Sequence, residues 1–189
     1  MIARVCIVGC GASKAAAPCE ARDLYTGPLF RAARAHVERL GCPWWVLSAR
    51  FGLIEPWRTL PPYEATIADG RRDVETWSRL TGICAGTLGG LMHGTYGRAL
   101  GWPAEVVLEV HAGAAYVEWL SEIVASSPAA KHLRLTVEEP LRGLEIGQRL
   151  HWYAARRDVP VVAARVDGWD RPGSAPPAPR QASLFGRVA

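Results

Sequence analysis

The chain has 189 residues, 49% hydrophobic and 21% charged, which suits one folded domain with a real core and excludes global disorder. Its net charge of +4 is uneven, because residues 171–189 carry Arg171, Arg180 and Arg187 and no acid, leaving 19 bases against 18 acids before them. A global positive field is excluded, and any contact with phosphate must use a local patch.

In chain order, Val5 to Val8 is a short apolar run that enters a loop at Gly9-Cys10-Gly11 and reads as a buried first strand. Pro28 then sits where a helix tolerates proline, and Leu29, Ala33, His36, Val37 and Leu40 recur at helical spacing until Gly41 and Pro43. Arg31, Arg34 and Glu38 share one side of this helix, as a solvated face or a phosphate track. Trp44 to Ser48 is a second strand, followed by an expected long loop from Ala49 to Gly70 with three prolines. Val74 to Leu91 traces a second amphipathic helix, weakened by four glycines.

Val106 to Val110 gives a third strand and Tyr116 to Val124 a third helix. Leu133 to Val137 gives a fourth strand, Leu144 to Arg157 a fourth helix, and Val161 to Val166 an optional edge strand. This alternation predicts an α/β three-layer sandwich with a mainly parallel sheet of four to five strands. Ligands of such sheets sit beyond the carboxyl ends of the strands, where strand order reverses.

Five cysteines without a CxxC pair favour reduced thiols. A metal site from Cys6, Cys10 and Cys19 is disfavoured, since residues 6 and 10 fall on one predicted strand, and neither metal nor cofactor is expected. The apolar start is shorter than a signal-peptide core and nothing approaches membrane-spanning length, so a cytoplasmic location without membrane partners is expected.

The loops after the strands carry the candidate chemistry. In the first, Gly9 and Gly11 offer backbone freedom around the candidate binding residues Cys10 and Gly11, Lys14 an ammonium for an anion, Asp23 a carboxylate to position water, and Tyr25 an aromatic face. In the second, Ser48 ends a strand, Tyr63 could stack on a base, and Glu64 could act as acid or base. Trp57 and Trp102 are further stacking candidates. His111 follows the third strand and is expected to face the cleft, with Gly113 letting a helix begin close by. Gln148 either bonds a ligand or caps its own helix.

From residue 170 the composition changes to a Pro-rich tether, dividing the chain into a domain, 1–169, and a flexible tail, 170–189. The tail ends in Gln181-Ala182-Ser183-Leu184-Phe185, which resembles the Q-x-[SD]-L-F motif that docks bacterial polymerases and repair enzymes on the sliding clamp. Gln181 would be the polar anchor, and Leu184 and Phe185 the hydrophobic ones.

Several short motifs together resemble the uncharacterised family DUF6884. They are Cys10-Gly11-x-x-Lys14, Asp23-Leu24-Tyr25, Ser48-Ala49-x-x-Gly52-Leu53, Pro62-Tyr63, His111-Ala112-Gly113 and Pro140-Leu141-x-Gly143-Leu144-x-Ile146-Gly147-Gln148. The chain departs from that pattern at Glu64, where Asp is expected, and at Glu145, where Gly is expected. The S-A-x-x-G-L and P-Y-E elements are also similar to the middle domain of archaeosine synthases, which act on a deazaguanine base in tRNA. A fold similar to uracil-DNA glycosylases is a further expectation. Together with the tail, these resemblances imply a nucleobase-processing domain acting on DNA, foremost an N-glycosylase for a damaged or modified base in repair or defence against phage. The alternatives are a base transferase or hydrolase acting on tRNA, nucleosides or nucleotides, and a non-enzymatic, clamp-tethered nucleic-acid binder.

Overall fold

The apolar run near the start grows into strand β1 (Ile2–Gly9), which becomes the middle of a five-stranded sheet. A computed structural model describes residues 2–91, 105–127 and 134–158. The first loop is ordered: Lys14 bridges Tyr25, strand β2 (Cys19–Glu20) follows, and a single turn, α1 (Ala21–Leu24), leads on. Helix α2 (Pro28–Leu40) starts on its proline and stops at Gly41, whose φ of 67° is the left-handed geometry glycine takes without penalty.

Strand β3 (Trp44–Ser48) is buried along its whole length, as a strand covered on both faces must be. The expected long loop behind it is instead mostly structured. It holds β4 (Gly52–Ile54), β5 (Thr59–Leu60) and the start of α3 (Ile67–Arg72). β4 folds back antiparallel on β3 through a tight turn, with Gly52 at φ 74°. β5 pairs with β2 and ties the first two loops together.

Helix α4 (Val74–Leu91) keeps its full length despite its glycines. Strand β6 (Glu105–His111), helix α5 (Ala114–Ser126), strand β7 (Arg134–Glu138) and helix α6 (Ile146–Ala154) complete the order. The sheet runs β4-β3-β1-β6-β7, parallel except for β4. The expected α/β sandwich is therefore the fold, with β4 as the fifth strand; the optional strand at 161–166 lies outside the described residues.

Alternation along β1 sorts the core into two halves. Val5 and Ile7 pack with Trp45, Leu88, Trp119 and Ile123 under α4 and α5. Cys6 and Val8 pack with Phe30, Val37, Trp44 and Tyr153 under α2 and α6. Trp77 is only partly buried: its ring lies 4.4 Å from that of Trp119, and its Nε1 donates to Glu122. Among the described residues no helix is long and apolar enough to cross a membrane.

Candidate functional site

The chain leaves β1 to one side through α2 into β3 and returns to its other side at β6, so the strand order reverses between β1 and β6. Their carboxyl ends frame a crevice of about 140 Å³, where this topology predicts a ligand. Gly9, Cys10, Gly11, Phe30, Ala112 and Tyr116 form much of its wall. A Cβ on Gly9 would stand 2.8 Å from that of Ala112, so glycine is what lets the two strand ends come this close. A second hollow of about 280 Å³ shares Ala112, Leu141 and Arg149 with the first, and Glu118 and Glu139 line its far side.

Cys10 places its Sγ 2.9 Å from the Tyr116 hydroxyl, while its backbone N–H donates to Leu47 O on β3, on the other side of β1 from the switch point. Beside it lies a chain of hydroxyls: Ser48 Oγ is 2.7 Å from Tyr63 Oη, which is 3.0 Å from Tyr25 Oη. Ser48 Oγ also accepts the backbone N–H groups of Arg50 and Phe51, which fill both lone pairs. Its own proton must therefore go to Tyr63, the Tyr63 proton to Tyr25, and the Tyr25 proton remains to donate. Burial, followed by the nearby charge of Cys10, pushes the phenols of Tyr63 and Tyr116 far up. Burial raises Tyr25 to about 12, so all three are O–H donors at neutral pH.

The rings are equally committed. Tyr25 packs on Phe30 at 4.8 Å, Tyr63 meets Phe51 at 5.1 Å, and the Lys14 ammonium lies 4.4 Å above the Tyr63 ring. Tyr25 is 1% exposed, so it supports the crevice wall and has no free face for stacking.

The other expected residues are placed as follows. Asp23 points to Arg34 and, more distantly, Arg22, which hold its half-exposed carboxylate against α2. Glu64 is exposed and, among the described residues, no group pairs with it. Gly113 caps α5, and a Cβ there would meet nothing within 4 Å. Gln148 completes a capping box with Glu145, its side-chain oxygen accepting the Glu145 N–H. Gln181, Leu184, Phe185 and Trp102 lie outside the described residues.

His111 borders the crevice, but its ring is buried and both nitrogens are engaged. Nε2 lies 2.8 Å from Glu109 Oε1 and Nδ1 3.0 Å from the Tyr153 hydroxyl. Burial lowers its pKa further than Glu109 raises it, so the ring is neutral, donates through Nε2 and accepts from Tyr153. Burial would raise the Glu109 carboxyl, but hydrogen bonds from His111 and His36 and the charge of Arg4 outweigh it and hold it well below the usual range. Arg4 joins Glu109 to Glu138 on the neighbouring strand. Sequence reasoning named His111 but missed its partners Glu109, His36 and Arg4. Their signal was Glu109, a carboxylate breaking the apolar run Val106–Val110 at an inward position.

The family model described as a family of unknown function, DUF6884, matches residues 5–155, most of the chain and all of the crevice described above. The chain belongs to DUF6884. No curated protein and no solved structure matches it. Within this DUF6884 domain the quoted motifs cluster in space: Cys10, Tyr25, Ser48, Tyr63 and Ala112 surround the crevice or back its wall, together with Tyr116. Arg149, which sequence reading also missed, donates from Nε to Leu144 O and from Nη1 to Ala112 O, and so carries a guanidinium to the rim of both hollows.

Proposed function

We propose that this DUF6884 domain receives a single nucleobase of DNA in the crevice between β1 and β6 and hydrolyses its N-glycosidic bond. The carrying observation is the crevice itself: about 140 Å³ at the switch point, bordered by Phe30, Tyr116 and Cys10 with Lys14 nearby. That volume is well below the roughly 300 Å³ at which pockets for larger ligands begin, which supports one flat ring system extruded from its stack. The adjoining hollow with Arg149 suits the sugar-phosphate that follows the base. Lys14 would hold a phosphate or stabilise the leaving base. Of the two carboxylates read from the sequence, Asp23 is held by Arg34, so Glu64 beside Tyr63 is assigned the water.

The test is incubation with DNAs containing normal, deaminated, alkylated and phage-type modified bases, followed by assays for free base and alkali-labile sites. Release of one base, lost in Glu64→Gln and retained in Asp23→Asn, is the expected result. No release with binding retained overturns the glycosylase reading. The thiol of Cys10 in the wall favours a second reading, transfer or exchange of a base on tRNA or a free nucleotide. That reaction should survive removal of residues 170–189.

A further inference from the structure

Behind the crevice, on the face of the sheet covered by α2 and α6, lies a polar group that the base chemistry does not use. Cys6 and Glu109 are facing partners in the register of β1 and β6, and His111 is two residues on from Glu109, hence on the same face. All three are buried, at 0, 8 and 3% exposure. The thiol sulfur, a carboxylate oxygen and an imidazole nitrogen lie within 4.8 Å of one another. Cys10 and Cys19, the partners considered for Cys6 from spacing, take no part among the described residues.

We propose that Cys6, Glu109 and His111 bind one divalent transition ion of borderline softness, of the Zn²⁺ class, independently of what the crevice does. The donor set is sulfur, oxygen and nitrogen, which selects such ions over Mg²⁺ or Ca²⁺. Metal bonds of about 2.0–2.3 Å draw tetrahedral ligand atoms to between roughly 3 and 4 Å of each other, so closure requires side-chain shifts of about 1 Å. Arg4 occupies Glu109 Oε2 and leaves Oε1 to the site. The charges also balance: a Cys6 thiolate, Glu109 and Glu138 together offset the ion plus Arg4.

The surroundings are those of a metal site as well. Tyr153 bonds the remote nitrogen of His111, the outer contact that fixes a ligating ring; its hydroxyl can reverse from donor to acceptor when the ion takes Nε2. His36 Nε2 stands 3.6 Å from the same Glu109 Oε1, and Cys42 Sγ stands 3.1 Å from Cys6 Sγ, so each flanks an open coordination position. His36 and Tyr153 also line a groove of about 810 Å³ between α2 and α6, which gives the ion an entry path. Arg31, Arg39 and Arg157 line the same groove, so a ligand arriving at the open position from that side would be an anion.

The experiment is a titration of the full chain, stripped with chelator, with Co²⁺ as a spectroscopic stand-in for zinc. The expected result is uptake of one equivalent with tetrahedral visible bands and a near-ultraviolet thiolate-to-cobalt charge-transfer band, displaced by Zn²⁺. That band should be lost in Cys6→Ser and kept in Cys10→Ser. X-ray absorption at the zinc edge of the wild-type protein should show sulfur at about 2.3 Å together with nitrogen or oxygen at about 2.0–2.1 Å, and it decides the matter even if Cys6→Ser fails to fold. No stoichiometric uptake, a shell without sulfur, or a charge-transfer band that follows Cys10 would each overturn the site.

Discussion

A hydroxyl oxygen has two lone pairs and one proton, and on Ser48 all three are spoken for by Arg50, Phe51 and Tyr63. Removing the next hydroxyl, in Tyr63→Phe, leaves the Ser48 proton without an acceptor in a buried place and Tyr25 without its donor. The expected cost is about 1–3 kcal/mol, read as a lower urea midpoint at unchanged slope. An unchanged midpoint would mean that the hydroxyl chain does not order the two loops. The same burial has a signature at high pH. Tyr25 is raised to about 12, and Tyr63, Tyr116 and Tyr153 further, against an unfolded value of about 10. Raised folded values stabilise the fold fully below about pH 10, and that contribution is lost as pH climbs through them. Tyrosinate absorbance should then appear together with loss of circular dichroism, in one alkaline step. Several phenols titrating near pH 10 in a still-folded protein would contradict the buried cluster.

At the level of elements, the turn between β3 and β4 depends on one glycine. Gly52 combines a φ of 74° with a virtual Cβ only 2.5 Å from Cys84 Sγ, whereas Gly41 has a similar φ of 67° and open space. Gly41→Ala should cost about 1–2 kcal/mol for the left-handed backbone alone. Gly52→Ala adds a steric conflict with α4 of the kind that costs roughly 1–3 kcal/mol more, so the gap between the two denaturation midpoints measures the packing of α4 on this turn. Equal midpoints would show that α4 yields freely. This turn also shows where sequence reading stopped. The runs Val5–Val8, Trp44–Ser48 and Val106–Val110 were legible as strands because β-rich apolar residues dominate them, with only Ser48 at one end and Glu109 inside the third as exceptions. β4 was not, because three residues between a tight turn and a proline carry no period, and only pairing with β3 makes them a strand. Cys10, Ser48 and Tyr63 could be picked out as candidates because they end strands or sit in rich loops. Glu109, His36 and Arg149 lie inside a strand and two helices, where their inward direction depends on partners distant in sequence, His36 and Glu109 on each other and Arg149 on Ala112.

Across the whole molecule, the domain and the tail are asked to do different things. The domain is nearly neutral by composition, so under the proposed function a hold on DNA would come from local groups such as Lys14 and Arg149, with little long-range attraction. A protein with so weak a field gains most from being kept near its substrate by other means. The segment Arg171-Pro172-Gly173 to Pro179-Arg180 has the composition of a tether, and it ends in Gln181, Leu184 and Phe185. If those three dock on the sliding clamp, binding there raises the local concentration of the domain at DNA without any contact of its own. Leu184→Ala with Phe185→Ala should then abolish clamp binding in a surface-immobilised assay while the thermal transition of the domain stays in place. Clamp binding that survives the double change would remove the docking motif from the account. A fall in the transition temperature alongside lost binding would instead show that the tail packs on the domain, and the two parts would have to be treated as one folded unit.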